Sequence, residues 1–241
     1  MAKVKRSKTH RRSANFARTR DLLILGSGVH SLEMVEIVER VNQAAQATGR
    51  QPTWNLLGFL APSQQHVGEI RNGCRVLGTL RDLKRFPRAA LIHDNEWPQA
   101  QPIPRERLVN LIDPSCFISR TARLGAGCVI YPNCYIGLNA RLGDDIFMLS
   151  GCIVNHDDRV EDRTVFASQV TLAGSVHVES GCYLGQSSTV RQFIRIDRGS
   201  MIGMGAVVIA DVPANSVMVG NPAYRLRDRE PVKKPRGRKR S

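Results

Sequence analysis

Residues 122–148 read ARLGAGCVIYPNCYIGLNARLGDDIFM, and within them an aliphatic residue or methionine recurs at every sixth position. The same interval continues in both directions until seventeen consecutive sites carry an apolar residue. These sites are Ile112, Ile118, Leu124, Ile130, Ile136, Leu142, Met148, Val154, Val160, Phe166, Leu172, Val178, Leu184, Val190, Ile196, Ile202 and Val208. With 42% apolar residues in the chain, chance would produce such a run about once in a few million tries. The sequence therefore predicts a fold of fixed period.

A second column lies four residues after each of these positions, and its side chains are usually small. It contains Cys116, Ala122, Cys128, Cys134, Ala140, Cys152, Thr164, Cys182, Ser188, Ser200 and Ala206. Five of the six cysteines fall in this column. We interpret them as polarizable fillers of a tight interior, in preference to metal ligands or disulfide partners.

A period of six matches neither an α-helix nor a simple strand, but it does match a short strand followed by a turn. Three such units close one triangular coil, whose aliphatic side chains point inward and stack from coil to coil. The seventeen units make between five and six coils. Glycines directly after the aliphatic are interpreted as corner residues, where a missing Cβ relaxes the backbone. They are Gly125, Gly137, Gly143, Gly185 and Gly203.

The first half of the chain predicts a small parallel α/β domain. Residues 22–30, LLILGSGVH, indicate an apolar strand that runs into a glycine turn, and apolar residues at helical spacing then continue to about Ala47. Gly26 and Gly28 would let the backbone approach a phosphate at the helix N-terminus, so they and His30 are candidate substrate contacts. Further strands are expected at about 54–60 and 89–93, with a short helix at 80–86 and a proline-rich connector before a domain boundary near residue 108.

The net charge of +14 is concentrated at the two ends of the chain. Residues 1–20 contain eight Lys/Arg and no acid, while 225–241 contain nine against Asp228 and Glu230. We expect both to be disordered basic tails around domains at 21–108 and 109–224. Contact with nucleic acid or an anionic membrane is the alternative role for them. No apolar stretch is long enough for a transmembrane segment, and no signal-peptide core precedes Asp21, so a cytoplasmic protein is expected.

Segments in both halves resemble one enzyme family. Residues 202–208 (IGMGAVV), 211–217 (DVPANSV) and 219–223 (VGNPA) resemble the closing coil of hexapeptide-repeat acyltransferases. Together with 26–30, 57–60, 75–83 and 111–115, they resemble the sialic acid O-acetyltransferase and nucleotide-amino-sugar N-acetyltransferase family over about 21–226. The resemblance implies a small Rossmann-like sheet followed by a left-handed parallel β-helix. It also implies an acetyl-CoA-dependent homotrimeric enzyme that acetylates a sugar or nucleotide-sugar acceptor.

The same resemblance implies which residue acts as the catalytic base. His156 lies in VNHDDR, 154–159, which resembles the family's Asn-His-acid segment carrying the general base. Asp157 would orient the imidazole and Asn155 would help to set the site, although both also suit an ordinary turn. Gly174 lies one full coil further on, where a bare backbone amide could hold an oxyanion. Without the resemblance, His156 would be interpreted as a simple corner histidine.

The closing coil implies contacts to the acyl donor. Backbone atoms of this coil could contact the pantetheine or adenosine of acetyl-CoA at Gly205, Ala206, Gly220, Asn221 and Pro222. Arg225 and Arg227 could meet its phosphates, or they could merely begin the basic tail.

Two other functions fit parts of the pattern. The γ-type carbonic anhydrases share the β-helix and bind zinc through three histidines, but His156 and His177 fall in different places of the coil and a third candidate is missing. The second function is a non-catalytic scaffold whose basic tails bind an acidic partner. Ala61-Pro62 favour it, because they stand where the family carries an acidic pair. The pairing of His156 with Gly174 favours the enzyme.

Overall fold

The computed structural model describes residues 19–98 and 101–228. An α/β unit comes first and a long parallel β-helix follows, as the sequence predicts. The stretches 1–18 and 229–241, which make up most of the predicted basic tails, lie outside the described residues. Residues 225–228 differ from that prediction, because they form a strand that pairs antiparallel with the one before it.

The α/β unit is a five-stranded sheet with one long helix against it. Its elements are β1 (Arg20–Leu25), α1 (Val29–Ala47), β2 (Trp54–Ala61), β3 (Ile70–Arg71), β4 (Cys74–Thr79), a 3-10 helix (Leu80–Arg85) and β5 (Ala90–His93); a second 3-10 helix (Arg105–Arg107) follows. The strand order is β3-β4-β2-β1-β5, and every pair except β3–β4 is parallel. β1 is an inner strand of this sheet, and its last four residues, Leu22 to Leu25, are all apolar and fully buried, so the strand is covered on both faces.

The β3–β4 hairpin was missed by the sequence analysis. Its first strand has only two residues, and Ile70 is 65% exposed, so no alternation of apolar and polar residues marks it. The available signal was the Asn72-Gly73 pair, whose φ angles of 43° and 74° suit a tight hairpin turn.

Short strands of two residues build the β-helix. In chain order they are β6 (Leu111–Ile112), β7 (Phe117–Ile118), β8 (Arg123–Leu124), β9 (Val129–Ile130), β10 (Tyr135–Ile136), β11 (Arg141–Leu142), β12 (Phe147–Met148), β13 (Ile153–Val154), β14 (Arg159–Val160), β15 (Val165–Phe166), β16 (Thr171–Leu172), β17 (His177–Val178), β18 (Tyr183–Leu184), β19 (Thr189–Val190), β20 (Arg195–Ile196), β21 (Met201–Ile202) and β22 (Val207–Val208). Two longer strands, β23 (Ser216–Val219) and β24 (Tyr224–Asp228), close the column.

Every third strand joins the same sheet, which gives the column three faces. The first face contains β6, β9, β12, β15, β18, β21, β23 and the antiparallel β24. The second face runs from β7 to β22, and the third runs from β8 to β20. Each strand pairs in parallel with the strand that lies three six-residue units later in the chain, as Arg141 does with Arg159. The predicted coil length is confirmed.

The interior of the column is the predicted stack of aliphatic side chains. Ile136, Val154 and Phe166 are fully buried, and they belong to one continuous hydrophobic cluster with their equivalents. The small side chains of the second column fill the corners of the interior. For example, the Cys152 thiol donates to the Ala167 carbonyl oxygen at 3.0 Å. All six cysteines are free thiols.

The glycines after the aliphatics serve a different purpose from the one predicted. None of the five has a left-handed φ; that conformation falls two residues later, at residues such as Asn139, Asp157 and Gly181. A Cβ on Gly137 would lie 2.8 Å from the Asn155 carbonyl carbon, which belongs to the next coil. These glycines are therefore required because adjacent coils approach closely, and not because the corner needs an unusual backbone angle.

Helix α1 attaches the α/β unit to the first face. Arg40 donates to both carboxylate oxygens of Asp113 at 2.5 and 3.0 Å, and the Tyr131 hydroxyl donates to Glu33 at 3.0 Å. Burial alone would raise the pKa of Asp113, but hydrogen bonds from Arg40 and Ser115 hold it below its usual value. The two units therefore share a core and an ion pair. Of the helices in the described part of the chain, none has the length and apolar character to cross a membrane.

Candidate active site

The turn at residues 155–158 joins β13 to β14 at the corner between the second and third faces. Asp157 takes the left-handed conformation, with φ of 61°, and the turn carries His156 outward so that 62% of its side chain is exposed. The fixed period forces this placement, because residues two and three after an inward aliphatic always lie at a corner. An imidazole at this position can reach a molecule bound outside the column.

His156 is oriented by two polar side chains. Its Nδ1 lies 2.9 Å from Asp157 Oδ2, and the Asn139 side-chain amide donates to Asp157 Oδ1 at 3.1 Å. The hydrogen bond with His156, and then that from Asn139, hold the pKa of Asp157 below its usual value. When Nδ1 carries the proton of this bond, Nε2 keeps its lone pair and can act as a base. The structure thus brings the predicted His156 and Asp157 together.

Asn139 was not identified from the sequence, although a signal was present. It lies one coil before Asp157 and has the same left-handed conformation, with φ of 58°. Residues one coil apart are stacked neighbours. The contact of Asn139 with Asp157 could therefore have been predicted from the repeat once the coil length was known.

Gly174 lies directly beside the imidazole. A Cβ built on it would be 2.9 Å from His156 Nε2, and its φ of 108° disfavours any other residue. The Ser175 amide donates to the His156 carbonyl oxygen at 3.0 Å, which fixes one coil on the next. Across residues 19–98 and 101–228, no group accepts a hydrogen bond from the Gly174 amide. The space that a side chain at position 174 would fill therefore lies against the imidazole nitrogen.

Asn155, the remaining predicted residue of this turn, forms hydrogen bonds that stabilise the turn. Its side-chain amide donates to the Leu172 carbonyl oxygen at 2.6 Å, and its backbone amide donates to Asp158 Oδ2 at 2.7 Å. The side chain is thereby used to tie neighbouring coils together. This contact fits the turn-forming alternative better than a direct contact to substrate.

Asp158 is a buried residue that the sequence analysis overlooked. It stands in the interior column of small residues, is fully buried, and accepts backbone hydrogen bonds from Asn155 and Val176 at 2.7 and 2.8 Å. It therefore fastens both ends of the His156 turn to the coil that carries Gly174. Burial raises the pKa of Asp158 to about 6, against the lowering effect of those two amides.

The free energy of unfolding is expected to depend on pH through Asp158. The pKa of Asp158 in the folded state, about 6, lies above the value of an aspartate in an unfolded chain. Between these two pKa values the folded protein therefore binds a proton that the unfolded chain has released. The associated stability is fully present below about pH 4 and is lost as the pH rises through 6, with a total loss of about 3 kcal/mol. Urea denaturation of the wild type and of Asp158→Asn at pH 4 and pH 7 measures it. A difference between the two proteins that does not change with pH would contradict this assignment.

The residues predicted to contact the acyl donor gather around β22. The Val207 amide donates to Gly220 O at 3.0 Å, and the Ala223 amide donates to Val207 O at 2.8 Å, so the 220–223 segment lies against this strand. Gly205 forms a left-handed turn in which a Cβ would meet nothing within 4 Å. This turn lies at the corner between the first and second faces, whereas His156 lies at the opposite edge of the second face.

The predicted donor-contact residues differ in how freely their side chains could meet a ligand. The Ala206 side chain is fully buried in the column, so only its backbone could meet a ligand. Arg225 lies in β24 and is ion-paired with Asp228, and the Asn221–Pro222 peptide bond is cis. Arg227 lies in the same exposed strand, opposite Val217.

The glycine turn of the α/β unit is lined by acids. Gly26 and Gly28 line a cavity of about 300 Å³ together with Asp94 and Glu96. A Cβ on either glycine would collide with one of these carboxylates, and Asp94 also accepts a hydrogen bond from the buried Ser31 hydroxyl. The glycines therefore accommodate the chain's own carboxylates at the helix N-terminus, where a phosphate was predicted.

His30 does not line that cavity. Its Nδ1 lies 3.2 Å from Glu33 Oε2, and its ring packs against Phe147 of the first face with centroids 5.3 Å apart. The side chain thus contributes to the junction between the α/β unit and the β-helix.

His177 is the second histidine of the repeat, and it belongs to an ion-pair network. Its Nε2 lies 3.0 Å from Glu161 and its Nδ1 lies 2.9 Å from Arg195. Within residues 19–98 and 101–228, no group of three His, Cys, Asp or Glu is arranged to hold a metal ion.

No protein-family model matches the chain, and no curated protein does so either. Solved structures do match. GDP-perosamine N-acetyltransferase from Caulobacter crescentus, crystallised as a histidine-to-alanine mutant with CoA and GDP-perosamine, superposes with a TM-score of 0.73 at 23% identity, covering 86% of this chain and 97% of that one.

Two further structures share the architecture. The acetyltransferase domain of PglB from Neisseria gonorrhoeae, in complex with acetyl coenzyme A, gives a TM-score of 0.69 at 23% identity over 87% of this chain and 100% of that one. WeeI from Acinetobacter baumannii gives 0.67 at 22% identity over 86% and 100%. The shared fold is an α/β segment followed by a left-handed parallel β-helix, so the predicted fold class is confirmed.

Proposed function

We propose that the protein is an acetyl-CoA-dependent acetyltransferase acting on an amine or hydroxyl of a sugar or nucleotide-sugar acceptor. The observation that carries this proposal is the placement of His156 Nε2 against the backbone of Gly174 at an exposed corner. Support comes from the fold, which is shared with an N-acetyltransferase whose structure holds CoA and GDP-perosamine.

The chemistry is a direct transfer with His156 as the general base. His156 Nε2 removes the proton from the acceptor nitrogen or oxygen as that atom attacks the thioester carbonyl carbon. The Gly174 amide donates to the oxyanion of the tetrahedral intermediate. The carbon–sulfur bond then breaks and CoA leaves as the thiolate, which can take up the proton held by the imidazole. Asp157 and Asn139 are positioning residues, because they act through the ring of His156.

The fit to an acyl donor depends on open space at Gly174. Any larger residue there would drive a Cβ into the imidazole, so glycine keeps the approach to Nε2 clear. The closing coil around Gly205 and Gly220 lies further along the column in the C-terminal direction, and a donor extended along the second face would reach it.

We also propose a homotrimer. Phe117, Tyr135 and Ile153 are 57%, 40% and 37% exposed and lie in register on the second face, with the two aromatic rings stacked at 5.1 Å. A row of apolar side chains beside the His156 corner is suited to burial against another copy of the chain. Sedimentation velocity should give the mass of a trimer.

Acetyl-CoA binding tests the donor half of the proposal. At a hundred times its dissociation constant, acetyl-CoA should raise the melting temperature by roughly 5 to 10 °C. The Gly174→Ala variant should lose most of this shift, because the methyl group fills the space beside Nε2. Gly181→Ala is the matched control, since Gly181 has a left-handed φ of 72° and a Cβ there would meet nothing within 4 Å. An unshifted wild type would favour the scaffold alternative.

A further inference from the structure

One edge of the interior of the column carries a carboxylate among apolar side chains. This edge lies inside the corner between the second and third faces, four residues after each aliphatic of the second face. Its six stacked side chains are all buried, and they are Ala122, Ala140, Asp158, Val176, Ile194 and Val212. A buried charge is unfavourable unless it is paired or hydrogen-bonded, so Asp158 requires a reason other than the burial of apolar surface.

Asp158 changes the hydrogen bonding of the turn that carries Gly174. In the equivalent turn two coils earlier, the Ala140 amide donates within its own turn, to the Gly137 carbonyl oxygen at 3.3 Å. The corresponding amide in the Gly174 turn is that of Val176, and it donates across coils to Asp158 Oδ1 at 2.8 Å. The carboxylate therefore binds an amide that elsewhere on this corner closes the turn to which it belongs.

The backbone of the same turn departs from the repeat at Gly174. Asp157 and Ser175, one coil apart, share the left-handed conformation with φ of 61° and 53°. The residues before them differ, because His156 keeps a negative φ whereas Gly174 has a φ of 108°. Since φ sets the orientation of the adjoining peptide groups, the backbone at Gly174 is turned relative to its equivalent at His156.

The other oxygen of the carboxylate holds the turn that carries His156. Asp158 Oδ2 accepts from the Asn155 amide at 2.7 Å, and Asn155 directly precedes His156. Oδ1 is bound to Val176, two residues after Gly174. One carboxylate therefore spans the two turns whose relative position sets the distance between the imidazole and Gly174. Both oxygens must accept for this contact, and protonation would convert one of them into a donor.

Burial controls the ionisation of Asp158 more than its charged neighbours do. It raises the pKa of Asp158 to about 6, against the lowering effects of the two backbone amides and of His156, while Asp157 raises the pKa further. The stacked neighbours in the coils on either side, Ala140 and Val176, carry no charge. The ionisable side chains of the flanking strands lie on the outer surface, and they are Tyr135, Arg141, Arg159 and His177. Asp158 is therefore mostly ionised at pH 7 and mostly protonated at pH 5.

We propose that ionised Asp158 is a positioning residue for acetyl transfer, because it holds the backbone of Gly174 in the conformation seen beside His156. This inference rests on the proposed acetyltransferase function. When Asp158 is protonated or replaced by a neutral residue, the Val176 amide is released and can close its own turn, as the Ala140 amide does. The backbone at Gly174 then leaves the geometry that the oxyanion requires, so turnover falls while acetyl-CoA still binds.

The turnover numbers of the wild type and Asp158→Asn, measured at pH 7 and pH 5, test the proposal. At pH 7 the wild type should be faster by about tenfold or more, since misplacing an oxyanion donor has an effect of at least this size. At pH 5, where both side chains are neutral, the ratio should fall to about twofold. The titration of His156 occurs in both proteins and cancels in the ratio. The KM for acetyl-CoA should change less than about twofold, because binding is not affected.

Thr164→Val is the matched control. Thr164 is a fully buried polar residue of the same interior column at another corner, where its hydroxyl donates to the Glu161 carbonyl oxygen at 2.9 Å. This variant should keep the wild-type turnover at both pH values. Asp158→Ser is a second variant in case Asp158→Asn does not fold, since the column already buries serine at Ser188 and Ser200. It should show the same dependence of the ratio on pH.

Two results overturn the proposal. A ratio near one at pH 7 would show that Asp158 does not act on the site, and a ratio that is equal at pH 5 and pH 7 would show that its ionisation plays no part. Nuclear magnetic resonance gives a readout that needs no activity, because the Val176 amide proton should titrate near pH 6 in the wild type and lose this titration in Asp158→Asn. An amide that does not titrate would refute the contact between the turns. An amide that titrates in a wild type without transferase activity would refute the acetyltransferase function and leave the hydrogen bonds of Asp158 in place.

Discussion

Replacing His156 with alanine should reduce the turnover number for acetyl transfer by about 10²- to 10⁴-fold. The reason is that the acceptor would then have to lose its proton to water, while the Gly174 amide and the substrate contacts remain. Folding should be unaffected, because the imidazole is mostly exposed and is hydrogen-bonded only to Asp157 in the described residues. The assay follows release of the CoA thiol from acetyl-CoA in the presence of a panel of nucleotide sugars.

The chain offers a matched control for this experiment. His177 is the other histidine of the repeat, and it sits on the third face in contact with Glu161 and Arg195. His177→Ala should keep wild-type turnover, although it removes the same side chain. Full activity in His156→Ala, or an equal loss in both variants, would exclude His156 as the base.

Phe166→Ala should lower the free energy of unfolding by about 3 to 5 kcal/mol. Phe166 is fully buried, and its strand neighbours on either side in the column are Met148 and Leu184. A narrow column closed by hydrogen bonds between coils cannot collapse around the vacated volume, so the cavity should persist. Urea denaturation followed by circular dichroism measures the loss.

Phe193→Ala provides the comparison, since the same substitution is made at a side chain that is 74% exposed. It should change the free energy of unfolding by less than about 0.5 kcal/mol. If both variants lost the same stability, the inward and outward assignment of the repeat would be wrong.

The β-helix could be predicted from the sequence because the six-residue period assigns each residue of the repeat to the interior, a strand or a corner. An apolar residue at each sixth site can be buried in only one way that also closes the chain, so Ile136, Val154 and Phe166 were assigned to the interior from position alone. The same arithmetic placed Gly174 one coil from His156. The two-residue strand β3 carried too few residues to show any period, so only its Asn-Gly turn could have revealed it.

Some contacts cannot be inferred from a linear pattern. The glycine turn at 26–28 was predicted to approach a phosphate, and nothing in the nearby sequence indicates that Asp94 and Glu96 pack against it. Asp158 interrupts the small interior column, and its two backbone partners are visible only once the coils are stacked.

The sequence by itself determined the three-sided column, the order of the two units and the stacking of Gly174 one coil after His156. These features follow from short-range spacing, since hydrophobic burial acts on every repeat in the same way. Only the tertiary structure decided which polar groups neutralise one another. That outcome depends on distances of about 3 Å between residues far apart in the chain.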